Sequence, residues 1–90
     1  VKAEIMHNLW PVLWARVNRE AVEERGKLGE VFFFMRAGFS GSQKYCTMMW
    51  AGDQNVDWSI DDGLASVITS ALSLSVTGFG LHHSDIGGYT

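Results

Sequence analysis

The chain has 90 residues, 47% hydrophobic, 12% aromatic and only 19% charged, against about 25% charged in an ordinary soluble domain. That is more core than one small domain can bury, so the reading is a piece of a larger fold, residues 1–90 without an internal boundary. A formal charge of -3 without a basic cluster excludes nucleic acid and membrane surfaces as partners, and the single cysteine, Cys46, excludes an internal disulfide and suits the cytoplasm.

In "HNLWPVLWARVNREAVEER" the residues Trp10, Leu13, Trp14, Val17, Ala21 and Val22 recur at helical spacing, with Pro11 where a first turn tolerates it. Arg16, Arg19, Glu20, Glu23, Glu24 and Arg25 form a solvated face, and Gly26 with Gly29 ends the helix. "EVFFFMRAGF" is a continuous apolar run, which suits a strand covered on both faces and therefore a parallel sheet flanked by helices. A second such run, "YCTMMWAG", follows "SGSQK", a connection that holds a turn or a stub of helix. A parallel crossover takes about a dozen residues, so this connection suffices only if both strands are shorter than their apolar runs.

After a loop, Ser59 precedes Asp62 at the capping-box spacing, with Asp61 and Asp62 as helix N-terminal acids. Ile60, Leu64, Val67, Ile68, Ala71 and Leu72 mark one face of this second helix, and Gly78 ends it. "FGLHHSD" reads as a third strand. The fold class is α/β, with about three parallel strands and flanking helices.

The three strands finish at "MRAG", "WAGD" and "HHSD". In parallel sheets with helical crossovers, ligands bind at the carboxyl ends of the strands. Arg36 offers a guanidinium for a carboxylate, a sulfonate or vicinal hydroxyls, or else a buried ion pair. Trp50 offers a flat wall for a sugar ring, or else plain core. Asp53 is an acid at the sheet top, or else a turn cap. His82 and His83 point to opposite faces of a strand and do not share a metal ion, so no metal site is expected; one hydrogen-bonds near the site and the other packs. Ser40 and Ser42 have no base nearby, and "GSQK" lacks the spacing of a phosphate loop.

"FFFMRAGFSGSQKYCTMMWAGDQNVDWSIDDG" followed by "HHSDIGGYT" resembles family 31 of the glycoside hydrolases, across essentially all ninety residues. "HHSDIGGYT" points within it to the sulfoquinovosidase branch. The resemblance implies about three strands of a (β/α)₈ barrel and a retaining cleavage of α-linked sulfoquinovose glycosides, sugars with a sulfonate at carbon six. It makes Asp53 the general acid/base, with Arg36, Trp50, Asp85 and Tyr89 binding substrate. No cofactor is implied. A carboxylic acid that protonates a leaving oxygen near neutral pH must hold its proton, and an apolar wall disfavours the charged form. A retaining enzyme also needs a nucleophilic carboxylate about 5 to 5.5 Å from the acid. In this family it lies on an earlier strand, so the rest of the barrel is the necessary partner. The alternatives are an α-glucosidase of the same family, a non-catalytic module that binds a sulfonated sugar through Trp50 and Arg36, and a scaffold piece without a site.

Overall fold

A computed structural model describes all of residues 1–90. The chain divides into two compact units, Val1–Thr47 and Met48–Thr90.

The first unit opens with helix α1, Ala3–Glu24. It starts earlier than the apolar spacing predicts, which puts Pro11 inside the helix rather than in its first turn. An interior proline has no N–H for the carbonyl four residues back, at a cost of about 3 kcal/mol relative to Ala. Burial of the ring offsets part of this: Pro11 and Ala15 are the buried residues of α1. The buried stripe is therefore rotated from the predicted one, and Trp10, Trp14 and Val17 are exposed. Arg16 pairs with Glu20 at 2.6 Å and Arg19 with Glu23 at 2.8 Å along the solvated face. The Glu20 carboxylate raises the already high pKa of the exposed Arg16 through its hydrogen bond and its charge.

The end of α1 follows from Gly26. Its N–H donates to the Glu23 carbonyl at 2.9 Å and that of Lys27 to the Val22 carbonyl at 3.0 Å. This pair of bonds is a Schellman motif, which needs the left-handed conformation that Gly26 adopts at φ 64°. The apolar run beyond it yields only a short strand, β1 (Phe34–Met35), after an isolated Leu28–Val31 bridge. Met35 is buried while Val31, Phe32 and Phe34 are exposed, so the expected cover on both faces is absent from this chain. The short strand leaves residues 36–47 as connection, long enough for a parallel crossover. That connection holds the stub of helix, a single 3-10 turn at Ser42–Lys44. Ser42 is almost fully buried and its Oγ accepts the Phe39 N–H at 3.0 Å, so it serves the turn.

The second unit is a β-α-β unit: β2 (Met48–Trp50), α2 (Leu64–Val76) and β3 (Leu81–His83). β2 and β3 pair in parallel with Met48 opposite Leu81, Met49 opposite His82 and Trp50 opposite His83. Met49, Gln54 and Phe79 are its buried residues with side chains. The capping box does not form. Helix α2 starts at Leu64 behind Gly63, with no side-chain cap and no acid in its first turn. Asp57 takes over: its Oδ1 accepts the Ser59 N–H at 2.9 Å and its carbonyl accepts the Leu64 N–H at 3.0 Å. An Asx turn has displaced the longer cap. At the other end Gly78 repeats the motif of Gly26, its N–H meeting the Ser75 carbonyl at 3.2 Å and that of Phe79 the Leu74 carbonyl at 3.1 Å.

Candidate active site

The register of β2 and β3 decides which side chains meet. Partnered residues share a face, so Trp50 and His83 lie together while Met49 and His82 lie on the opposite face. Two residues past His83 the chain returns to the Trp50 side with Asp85. There the Trp50 indole N–H donates to Asp85 Oδ1 at 3.2 Å. The other carboxylate oxygen, Oδ2, is buried without a hydrogen-bond partner. Trp50 is half-buried with its polar edge committed, which separates it from plain core.

His82, on the other face, has a buried Nε2 without a partner. The two histidines diverge as the period of two requires, and no three His, Cys, Asp or Glu side chains gather in a way that could hold a metal ion.

Asp53 follows Trp50 across a sharp turn at Gly52, whose φ of 81° suits glycine. Gln54 closes this turn by donating from Nε2 to the Ala51 carbonyl at 3.0 Å. Asp53 itself is exposed, so this chain does not supply the apolar wall expected around it.

The segment after Asp53 is clasped to the last residues of the chain. The Gln54 carbonyl accepts the Tyr89 N–H at 2.8 Å and the Thr90 N–H at 3.2 Å, and the Thr90 carbonyl accepts the Val56 N–H at 2.6 Å. Gly88 makes the approach possible, since a Cβ there would lie 2.8 Å from the Asn55 carbonyl oxygen. Beside the clasp is a cavity of about 310 Å³ whose lining includes Gln54, Trp58, Val67 and Asp85. Farther along the loop, the Ser59 backbone N–H holds the exposed Asp57 carboxyl below the usual carboxylate range.

Trp50, Asp53, Asp85 and Tyr89 thus come from one unit and from the carboxyl ends of two paired strands. Arg36 follows β1 in the other unit, where it is exposed rather than buried. Gln54 and Gly88 escaped the sequence reading: Gln54 stands beside Asp53 without periodicity, and one of two adjacent glycines cannot be told from the other.

Parallel strands joined by a helical crossover, with polar groups at their carboxyl ends, are the arrangement on which βα-barrel and doubly wound enzymes alike build their sites. Residues 1–90 match the glycosyl hydrolases family 31 TIM-barrel domain, and the chain belongs to that family. It is 78% identical over its whole length to the sulfoquinovosidase of Escherichia coli, of which it covers 13%. It is 60% identical to the sulfoquinovosidase of Agrobacterium fabrum, of which it covers 14%. Among solved structures it superposes on a family 31 sulfoquinovosidase from E. rectale, in complex with the aza-sugar inhibitor IFGSQ, with a TM-score of 0.91 and 70% identity. That match covers 96% of this chain and 13% of the other. The chain spans about one-seventh of the length of the relatives it matches.

Proposed function

We propose that the complete protein hydrolyses α-sulfoquinovosides with retention of configuration, with Asp53 as its general acid/base. The observation that carries this reading is the 78% identity to the sulfoquinovosidase of Escherichia coli over the whole chain. In the first step a carboxylate from another part of the barrel attacks the anomeric carbon while Asp53 protonates the departing glycosidic oxygen. In the second, Asp53 takes a proton from water as the water attacks the glycosyl ester and frees the nucleophile. Trp50 walls the sugar subsite. Asp85 holds the Trp50 edge through one oxygen and offers the other to a sugar hydroxyl. Arg36 and Tyr89 complete the subsite, with Tyr89 contributing to recognition of the sulfonate.

The test is Asp53→Asn in the full-length enzyme. Asn caps a turn as well as Asp but delivers no proton. The rate should fall on the order of 10²- to 10⁴-fold. Glycosylation should suffer less with a nitrophenyl than with an alkyl aglycone, and azide should partly rescue the second step. Equal losses on both aglycones without azide rescue would remove Asp53 from this role. Comparable efficiency of the unmutated enzyme on α-sulfoquinovosides and α-glucosides would remove the sulfonate specificity.

A further inference from the structure

Gln54 is bonded to the frame of two residues at once. The residue is only 6% exposed, and its Nε2 donates to the Ala51 carbonyl across the turn that carries Gly52 and Asp53. Its main-chain carbonyl accepts both the Tyr89 and the Thr90 N–H. Its Oε1 is buried with no hydrogen-bond partner. Burying an amide with one atom unpaired is unfavourable, so packing alone does not account for a glutamine at this point.

We infer that Gln54 is a positioning residue: its side chain locks the Asp53 turn and its main-chain carbonyl ties that turn to the Tyr89 segment, so that proton delivery and sulfonate recognition depend on the same residue. The inference rests on the roles proposed above for Asp53 and Tyr89. The Nε2 bond fixes where the turn places the carboxylate, and a misplacement of about 1 Å at a reacting group costs on the order of 10²-fold in rate. Because the Tyr89 N–H hangs on the Gln54 carbonyl, a turn that relaxes carries the Tyr89 segment with it.

The test uses the full-length enzyme with Gln54→Met, which keeps the buried volume and removes the amide. Two ratios are read: the efficiency on alkyl against nitrophenyl α-sulfoquinovosides, and on nitrophenyl α-sulfoquinovoside against the matching α-glucoside. The alkyl substrate should lose on the order of 10-fold in kcat/KM, the nitrophenyl substrate less, and the preference for the sulfonated sugar should narrow by a similar factor. A side chain that only packs would lower Tm and move neither ratio. If Gln54→Met does not fold, Gln54→Asn, with the same amide a methylene short of Ala51, is read on the same ratios. A folded variant in which either ratio stays at its wild-type value overturns the inference. Asp53→Asn and Tyr89→Ala are run beside it. If they behave as proposed while a Gln54 variant keeps a ratio, this inference alone falls; if Asp53→Asn leaves activity intact, the proposed function falls and takes this inference with it.

Discussion

The contact between Trp50 and Asp85 shows how one residue's burial sets another's chemistry. Asp85 has one oxygen satisfied by the indole N–H and one buried without a partner. Trp50→Phe keeps most of the apolar wall and removes that N–H. Leaving a buried acceptor unsatisfied costs about 1–3 kcal/mol, more when it is charged. The variant should unfold at lower urea concentration, and Trp50→Phe with Asp85→Asn should lose less than the two single changes added together. Strict additivity would show that the two side chains are not coupled. Asp57 provides a second residue-scale prediction. Its carboxyl is held below its ordinary value of 3.8 by the Ser59 backbone N–H. A depressed carboxylate stabilises the folded loop fully above the ordinary value, and that contribution disappears as pH falls through the lowered value. The Asp57 carboxyl resonance should therefore titrate below pH 3.8. Asp57→Asn, which keeps the acceptor oxygen, should remove that step from the loop's acid response.

At the scale of elements, the clasp between residues 54–56 and 88–90 makes unequal demands on two adjacent glycines. Gly87 and Gly88 both have positive φ, 85° and 87°. Only Gly88 also meets backbone, with the Asn55 oxygen 2.8 Å from a would-be Cβ, while Gly87 has nothing within 4 Å. Gly87→Ala should cost about 1–2 kcal/mol from backbone strain. Gly88→Ala should cost more and weaken selectivity for the sulfonated sugar, as thermal melts and substrate ratios would show. Equal melts for the two variants would mean that the clasp opens freely. The same contrast marks how far the sequence was legible. Gly26 and Gly78 were readable as helix ends, because a Schellman motif depends on local bonds around one left-handed residue. Trp50, Asp53 and Asp85 were readable as strand-end groups, because a period of two and a stop at glycine are local too. The capping box at Ser59 failed because Asp57, two residues earlier, competes for the same backbone. The buried stripe of α1 was misplaced because Pro11 and Ala15, not the larger tryptophans, face its neighbours. Gln54 was invisible, since its partners in the clasp lie more than thirty residues away.

For the whole molecule, magnitude decides between a self-sufficient domain and a part of one. The chain exposes 6554 Å² of surface, against about 5,200 Å² for a folded monomer of its mass. Much of the excess is apolar: Trp58, Ile60, Val76 and Ile86 are each at least 80% exposed. The relatives are some seven times longer, and a TIM barrel has eight strands and eight helices to set against one another. The polypeptide of residues 1–90, made alone, should accordingly self-associate and bind a hydrophobic dye, and should lack a sharp melting transition. It should also fail to hydrolyse a nitrophenyl α-sulfoquinovoside above the level of its own Asp53→Asn variant, because the proposed nucleophile comes from another part of the barrel. A cooperative monomeric melt would show that the exposed apolar surface is tolerated without the rest of the barrel. Turnover that disappears with Asp53→Asn would place both chemical roles within these ninety residues, and the search for the nucleophile would then begin at Asp85, the carboxylate whose Oδ2 is buried and unpartnered.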